Sequence, residues 1–442
     1  MHEHPRPDRL RIAYLVYRGN PRCGGQGVYT RYLTRELVAL GHQVTVFSGP
    51  PYPDLDPGVP LVKVPSLDLY REPDPFRVPR LREFEDAIDV LEFATMCTAG
   101  FPEPRTFTLR VRRLLAERRG EFDIVHDDQS LGSGLLGLMR DGWPLMTTIH
   151  HPITVDRELD LSHAEDWKRR LTLRRWYGFL GMQKRVARQL PRVITVSSSS
   201  RRDIAEQLGV PEERSRVVPV GVDELVFRPL PGVERVTGRL MTTTSSDVPM
   251  KGLVPLLEAL ALVRKERPDA HLCVIGRLRD NSSVPGVIER LGLGGSVQFV
   301  SGVTEQRIVE LYAEAELAVV PSLYEGFSLP AIEAMACGTP LVATTGGAIP
   351  EVVGNDGETG LLVPPNDPPA LAGGLLRLLG DPELAGRLAD AARTRVLHRF
   401  TWQATARGTV DAYLELLFGD EVPAIEAAQQ SSEQKEEMVA AC

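Results

Sequence analysis

Two acidic residues, Glu325 and Glu333, flank the stretch of the sequence that could most readily do chemistry. Pro330 suits the first position of a helix and Gly338 suits the left-handed residue after a helix end, so a short helix is predicted between them. The free N–H groups of that helix would point at Gly326-Phe327-Ser328, where an anion such as a diphosphate could bind. Carboxylates accept paired hydrogen bonds from vicinal diols, which suits sugar hydroxyls. These groups together predict a site for a sugar nucleotide.

Length and composition limit the classes of protein. The 442 residues exceed one ordinary core and predict two domains. A net charge of -8, from 51 basic and 59 acidic residues, gives no general attraction to nucleic acid. The five scattered cysteines predict neither a disulfide framework nor a zinc site and favour a reducing cytoplasm. The N-terminus lacks the apolar core of a signal peptide, and no apolar run of about 18 residues occurs, so any membrane contact would be peripheral.

The beginning of the chain is typical of a Rossmann-like unit. A buried strand at 10–17 is followed by a glycine-rich loop at 19–27, a helix at 28–40 and a second strand at 41–48. The loop lacks the Gly-x-Gly-x-x-Gly pattern, and the second strand ends in Phe47-Ser48 rather than in an acidic residue. This argues against a nicotinamide-dependent dehydrogenase.

Polar residues end two later strands of the same region. One strand ends in Asp127-Asp128 and the other in His150, where open α/β sheets place their ligand crevice. Adjacent strand residues face opposite ways, so the two aspartates are expected to make the crevice polar rather than to chelate a metal together. The sequence at 50–78 is rich in proline, and 79–117 is predicted to be helical with a break at 100–104, without an assigned role.

A second alternation of strands and helices follows the turn-rich segment 217–229. Strands are predicted at 239–244, 271–275, 297–299 and 316–322, and helices at 253–265 and 284–291. Such an alternation predicts a second doubly wound sheet and hence a cleft between two lobes.

The run from Glu325 to Pro340, Glu-Gly-Phe-Ser-Leu-Pro-Ala-Ile-Glu-Ala-Met-Ala-Cys-Gly-Thr-Pro, closely resembles the donor-site motif of the retaining GT-B glycosyltransferases of family 4. Gly24-Gly25, Lys251-Gly252 and the helix after Phe400 match further parts of that family's pattern. The resemblance implies an α/β GT-B fold, in which two Rossmann-like doubly wound domains face an interlobe cleft. It implies an acceptor domain at 1–214, joined by the C-terminal helix at 400–418, and a donor domain at 215–399. The segment 419–442, low in aromatic residues, is predicted to be a disordered tail.

The resemblance also implies a reaction and roles for individual residues. A hexosyl unit would pass from a nucleoside diphosphate sugar to a hydroxyl acceptor by front-face attack, with retention and with no metal or other cofactor. The implied catalytic residues are His150, near the transferred sugar, Glu325, which would orient its hydroxyls, and Lys251, which would supply charge to the diphosphate. Glu333 would bind the ribose diol. The remaining implied donor-binding residues use their backbone: Gly24, Gly25, Gly326, Phe327, Ser328 and Leu329.

One departure from the family pattern affects the diphosphate. Members of the family commonly carry Gly-Arg shortly before the lysine that corresponds to Lys251. In this chain those two positions fall on or near Ser245 and Ser246. A hydroxyl can donate a hydrogen bond to phosphate but cannot supply the charge. Arg277, at the next strand end, is a candidate substitute.

Two alternatives to the transferase remain open: a sugar-nucleotide hydrolase or epimerase on the same fold, and a weakly active GT-B protein that acts as a binding or assembly partner. The predicted basic helix at 165–188 also permits two interpretations. It could contact an anionic membrane near a lipid-linked acceptor, which would make the cytoplasmic protein peripheral, or it could be a solvated face, which the aromatic residues within it favour. The acceptor could be a sugar, a lipid-linked group or a small molecule, and the sequence does not name the sugar or the base.

Overall fold

The computed structural model describes residues 9–20, 25–71, 73–162, 164, 166–244, 248–278 and 282–419. Three predicted donor-site residues, Gly24, Ser245 and Ser246, lie outside the described residues, as does nearly all of the predicted tail.

The first lobe is built on a seven-stranded parallel sheet with the order β3-β2-β1-β4-β5-β6-β7. Its strands are β1 (Arg11–Val16), β2 (Gln43–Ser48), β3 (Leu61–Lys63), β4 (Ile124–Asp128), β5 (Leu145–Ile149), β6 (Arg192–Thr195) and β7 (Ser215–Val217). Its helices are α1 (Gln26–Ala39), α2 (Ala87–Cys97), α3 (Glu103–Ala116), α4 (Gly134–Arg140), α5 (Thr154–Ser162), α6 (Trp167–Trp176), α7 (Leu180–Ala187) and α8 (Ser198–Leu208). Apolar clusters cover both faces of the sheet, which explains why β4 and β5 are buried along their whole length.

The second lobe is built on a six-stranded parallel sheet with the order β10-β9-β8-β11-β12-β13. Its strands are β8 (Val236–Thr243), β9 (His271–Ile275), β10 (Val297–Val300), β11 (Ala315–Val320), β12 (Leu341–Thr344) and β13 (Leu361–Val363). Its helices are α9 (Leu253–Glu266), α10 (Val284–Arg290), α11 (Glu305–Glu314), α12 (Leu329–Ala336), α13 (Ile349–Val353), α14 (Pro368–Gly380) and α15 (Pro382–Arg399). Two doubly wound sheets therefore confirm the predicted architecture.

The last helix, α16 (Trp402–Phe418), packs on the first lobe. Trp402 stacks on Tyr32 of α1 with ring centroids 5.3 Å apart, and the buried Tyr413 hydroxyl lies 2.5 Å from Nδ1 of His126 in β4. Burial lowers the pKa of His126 to about 3, so this imidazole is neutral. The helix thus completes the core of a lobe whose strands lie near the start of the chain.

Several predicted bounds differ from the observed ones. β7 pairs with β6, so the first sheet continues three residues beyond the predicted division after residue 214. β3 lies in the proline-rich segment, where no strand was predicted, and α11, capped by the Thr304 side chain, was also missed. The basic segment forms two helices, α6 and α7, joined by a 3-10 turn at Tyr177–Phe179.

Candidate functional site

The order of the second sheet places a ligand crevice at the loops that follow β8 and β11. From β8 the chain proceeds to β9 and β10 on one side, and then to β11, β12 and β13 on the other. The neighbouring strands β8 and β11 therefore send their connections in opposite directions, which opens a crevice beyond their carboxyl ends. Lys251 follows β8 and the run from Glu325 to Leu329 follows β11. Sheet topology thus brings together two predicted sites that are far apart in sequence.

The first sheet has the same arrangement at β1 and β4. Gly25, just before α1, follows β1 in the chain, Gln129 follows β4, and His150 follows the neighbouring strand β5. The carboxyl edges of the two sheets face one cavity of about 630 Å³, lined by residues of both lobes. Six predicted site residues line it: Gly25, His150, Glu325, Gly326, Phe327 and Leu329. Lys251 and Glu333 lie outside this lining set, close to it in the second lobe.

The N-terminus of α12 offers unbonded hydrogen-bond donors beside the cavity, which Phe327 and Leu329 line and the buried Ser328 does not. The helix begins at Leu329, with Pro330 second rather than first as predicted, and Gly338 beyond its end has a φ of 67° as predicted. Within the described chain, the N–H groups of Phe327, Ser328 and Leu329 have no hydrogen-bond acceptor. Ser328 Oγ is also buried without a partner among those residues. Four unmet donors at the positive end of a helix dipole suit an anion.

Lys251 and Glu325 form an ion pair at the edge of this site. Lys251 Nζ lies 2.7 and 3.0 Å from the two carboxylate oxygens of Glu325, and Ser322 Oγ donates to the same carboxylate at 2.7 Å. Gly252 permits this approach, because its φ is 69° and a Cβ would lie 1.9 Å from the carbonyl oxygen of Pro321. The residue predicted to bind diphosphate and the residue predicted to orient the sugar therefore act as one polar unit.

Glu333 lies on α12, about one turn after the start of the helix, and accepts a hydrogen bond from the Tyr312 hydroxyl at 3.3 Å. Burial raises the pKa of the Glu333 carboxyl from 4.5 to about 8, while the Tyr312 hydroxyl acts in the opposite direction. The carboxyl is therefore largely protonated at neutral pH.

Glu333→Gln is expected to stabilise the protein in a pH-dependent manner. The folded pKa of Glu333 lies above its ordinary value, so its contribution to stability is fully present below 4.5 and is lost as the pH rises through about 8. Glutamine cannot ionise, so the variant should melt about 2 °C or more above the wild type near pH 8 and match it near pH 4. Glu266→Gln, at an exposed carboxylate that ends α9, is the control and should show no such gain. Parallel pH curves for Glu333→Gln and the wild type would contradict the assignment.

His150 is held by groups that the sequence did not identify as its partners. Its Nε2 lies 2.7 Å from Oδ1 of Asp128, which is fully buried and also accepts from Thr30 Oγ1 at 3.4 Å. The ring of Tyr29 meets the imidazole edge-on at 4.6 Å. With Nε2 committed to Asp128, Nδ1 is the ring nitrogen left for a substrate.

The aspartate pair is oriented as predicted. Asp127 turns away from His150 and bonds the Ser130 hydroxyl and the N–H of Leu131, the latter at 3.1 Å. Burial raises the pKa of Asp127 to about 7. The two carboxylates therefore act separately.

In the described part of the chain, no three His, Cys, Asp or Glu side chains are grouped to hold a metal ion.

Arg277 follows β9 at the edge of the second sheet and is exposed. It does not line the cavity. Because β9 neighbours β8, Arg277 nevertheless lies at the same sheet edge as the segment before Lys251.

An aromatic wall on the first-lobe side of the cavity was not predicted. Tyr17, Phe101, Trp176, Tyr177 and Phe179 line it, and Phe101 packs against Trp176 with ring centroids 5.1 Å apart. Phe101 comes from the segment between α2 and α3, so the region without a predicted role forms part of the cleft. The spacing of these residues gave no signal, because they meet only after the lobe has folded.

The basic helix contributes to this wall. Trp176, Tyr177 and Phe179 face the cavity and Leu180 is buried. These positions agree with the interpretation that the segment packs partly against the lobe. Trp167 and Leu171 of α6 are exposed, by 69% and 59%. No described helix is both long and apolar enough to span a bilayer.

The two doubly wound sheets that face one cavity define the GT-B fold of the glycosyltransferases. The chain belongs to the glycosyltransferases of group 1: the model of "Glycosyl transferases group 1" matches residues 233–395, and that of "Glycosyltransferase Family 4" matches residues 23–224. The two matches correspond to the two lobes.

Curated relatives agree with this assignment, and solved structures share the fold. The chain is 53% identical to the MMP alpha-(1->4)-mannosyltransferase of Mycolicibacterium hassiacum, over 91% of this chain and 98% of the relative. It is 30% identical to the D-inositol 3-phosphate glycosyltransferase of Acidothermus cellulolyticus, over 90% of this chain and 87% of the relative. The sucrose-phosphate synthase of Thermosynechococcus elongatus shares the fold, with a TM-score of 0.66, 24% identity and coverage of 92% and 99%. So does Anabaena HepE in complex with UDP-glucose, with a TM-score of 0.65, 18% identity and coverage of 91% and 99%.

Proposed function

We propose that the protein is a retaining mannosyltransferase that moves a mannosyl unit from a nucleoside diphosphate mannose to the 4-hydroxyl of a sugar acceptor. The observation that carries the proposal is the set of unmet donors at the N-terminus of α12, which shares the interlobe cavity with His150. The mannosyl unit and the α-(1→4) linkage are taken from the name of the relative that is 53% identical.

The donor is proposed to bind in the second lobe. Its diphosphate would accept hydrogen bonds from the N–H groups of Phe327 and Leu329 and from Ser328 Oγ, and Lys251 would add positive charge. Glu333 would accept the ribose diol. A UDP-glucose complex of a protein with the same fold supports the class of donor, and the base of the nucleotide is left to experiment.

The stereochemistry follows from donor and product. Nucleoside diphosphate mannose is α-linked, and an α-linked product keeps that configuration. In front-face transfer the bond from the anomeric carbon to the diphosphate breaks, the acceptor oxygen bonds to that carbon on the same face, and the acceptor proton passes to the departing diphosphate. Lys251 and the α12 backbone would stabilise the charge that develops on the diphosphate, and His150 would hydrogen-bond the sugar. This scheme assigns no step to a metal ion.

The acceptor is proposed to bind in the first lobe, against the aromatic wall. The apolar faces of pyranose rings pack well on aromatic side chains, and Phe101 and Trp176 offer such surfaces beside His150. Arg18 also lines this side of the cavity, and its Nε lies 3.5 Å from Oε2 of Glu103.

A donor panel tests the proposal. Purified protein is mixed with GDP-, UDP- and ADP-mannose and the matching glucose donors, with and without mannoside acceptors, in buffer with EDTA. We expect transfer of mannose, with the linkage and anomer assigned by NMR. Rapid donor loss without an acceptor would favour the hydrolase or epimerase instead. Donor binding without turnover over a broad acceptor panel would favour the binding protein, and loss of activity in EDTA would reject metal independence.

Arg277→Ala is expected to lower turnover about tenfold or more, if Arg277 supplies the positive charge that Ser245 and Ser246 cannot supply. Arg290→Ala, at the end of α10, is the control for removal of an arginine from the same lobe. Unchanged turnover in Arg277→Ala would remove Arg277 from the donor site.

A peripheral membrane contact through α6 stays a prediction. Trp167 and Leu171 are exposed on a helix that also carries Lys168, Arg169 and Arg170, a composition that suits an anionic bilayer surface. If the contact exists, the protein should sediment with phosphatidylglycerol vesicles but not with phosphatidylcholine vesicles, and neutralising Arg169, Arg170 and Arg174 should abolish sedimentation. No sedimentation of the wild type would leave α6 as a solvated face.

A further inference from the structure

Two serines of the first lobe bind the loop at 325–328 of the second lobe, which we call the donor loop. Ser197 Oγ donates to the carbonyl oxygen of Gly326 at 2.6 Å, and Ser200 Oγ donates to the same oxygen at 3.1 Å. Both serines are almost completely buried at the start of α8. Ser197 Oγ also accepts the N–H of Ser200 at 2.9 Å, which makes Ser197 the N-cap of that helix. The carbonyl oxygen of Gly326 thus accepts hydrogen bonds from two hydroxyl groups of the opposite lobe.

A carboxylate of the second lobe also binds the N-terminus of α8. The two oxygens of Glu351 accept the N–H groups of Ser198 and Ser199, each at 2.7 Å. A carboxylate at a helix N-terminus is favoured by the helix dipole and satisfies two otherwise unbonded donors. We call the contacts of Ser197, Ser200 and Glu351 the interlobe clamp.

The clamp is continuous with the donor loop. Glu351 belongs to α13, which follows Ala348, and the N–H of Ala348 donates to the carbonyl oxygen of Glu325 at 2.8 Å. The loop therefore receives support from α13 within its own lobe and from α8 across the cleft.

The bond to the Gly326 carbonyl fixes the direction of the next N–H group. In a trans peptide the carbonyl of Gly326 and the N–H of Phe327 point in opposite directions. Holding the carbonyl toward α8 therefore aims the Phe327 N–H away from α8, toward its own lobe. A flip of this peptide would instead turn a carbonyl oxygen toward the position proposed for the diphosphate, where it would repel the anion.

We infer that Ser197 and Ser200 are positioning residues that complete the diphosphate site of the second lobe only when the lobes are closed. The inference rests on the proposed donor site. Hydrogen bonds from the first lobe orient the Phe327 N–H group of the donor loop. Glu351 holds α8 in the position from which these bonds are made. Closure of the two lobes therefore links the position of the acceptor lobe to stabilisation of the departing diphosphate. In an opened protein, the Gly326–Phe327 peptide loses both hydroxyl donors and the loop binds diphosphate more weakly.

Ser200→Ala is the cleanest variant, because it removes one donor and leaves the N-cap of α8 intact. Ser197→Asp is the second, because aspartate still caps the helix but cannot donate to Gly326 when ionised. Ser199→Ala is the matched control, since it lies in the same helical turn and its backbone N–H to Glu351 remains. Melting temperatures establish that each variant is folded.

The readouts are calorimetric affinity for the nucleoside diphosphate and for the nucleoside alone, together with kcat and KM for transfer. Ser200→Ala should weaken diphosphate binding about fivefold and Ser197→Asp about tenfold or more, with nucleoside binding unchanged. We expect kcat to fall with the diphosphate affinity, whereas Ser199→Ala keeps wild-type values. Small-angle scattering of Glu351→Gln should show a more open pair of lobes.

Equal losses for nucleoside and nucleoside diphosphate would show a merely structural role and overturn the inference, as would wild-type diphosphate binding and kcat in both serine variants. Failure of the proposed function is a different result: the wild type itself would transfer no sugar from any donor, while the calorimetric comparison would still test the clamp.

Discussion

Lys251→Ala is expected to lower kcat/KM for sugar transfer by about 100-fold or more, since removing one group that stabilises a developing oxyanion costs about 3 kcal/mol. The loss should fall mainly on kcat, because charge on the diphosphate grows as its bond to the sugar breaks. Lys265→Ala, at an exposed lysine in the last turn of α9, is the control. Retention of more than about a third of wild-type kcat/KM by Lys251→Ala would contradict the role.

The ion pair with Glu325 makes a second measurement informative. Lys251 Nζ lies 2.7 Å from Glu325 Oε1, and the Glu325 side chain is 10% exposed. Removing the lysine leaves that carboxylate buried beside Ser322 without its cation. A double-mutant cycle with Glu325→Gln should therefore give a combined loss smaller than the sum of the single losses. Strict additivity would show that the two residues act independently.

His150→Ala is expected to lower kcat about 100-fold, with a smaller change in donor KM, because the imidazole is proposed to act on the reacting sugar rather than on the nucleotide. Asp128→Asn should cost about tenfold, since asparagine can still accept the hydrogen bond from Nε2 but makes a weaker bond than the charged carboxylate does. The variants are compared by steady-state kinetics with saturating acceptor.

Asp127→Asn supplies the control for Asp128→Asn. It lies on the same strand and faces the other way, and its raised pKa of about 7 means that a neutral side chain is already accessible there. It should keep nearly full activity. Equal losses in Asp127→Asn and Asp128→Asn would indicate damage to β4 rather than loss of the partner of His150.

Local signals explain which parts of the site could be predicted from the sequence. The start and end of α12 follow from Pro330 and Gly338, which act on their own backbone, so the helix and its unbonded N–H groups were predicted to within one residue. The alternation of buried strands with helices likewise predicted two doubly wound sheets.

Partnerships across the fold could not be predicted in this way. The bond between His150 and Asp128 requires β4 and β5 to be neighbours, and the pair of Lys251 and Glu325 joins residues 74 positions apart. The hydroxyls of Ser197 and Ser200 meet Gly326 only after both lobes have formed and closed. Strand order and lobe closure decide such contacts, and neither leaves a periodic trace in the sequence.

The placement of α16 on the first lobe has a consequence for synthesis on the ribosome. The strands of that lobe are translated first, yet Trp402 and Tyr413, which cover one face of its sheet, are translated last. Until they emerge, His126 lacks the Tyr413 hydroxyl and the apolar face around Tyr32 lacks its stacked indole. The second lobe, made from one uninterrupted stretch, can therefore finish folding earlier. The first lobe therefore completes its core only after the whole second lobe has been translated.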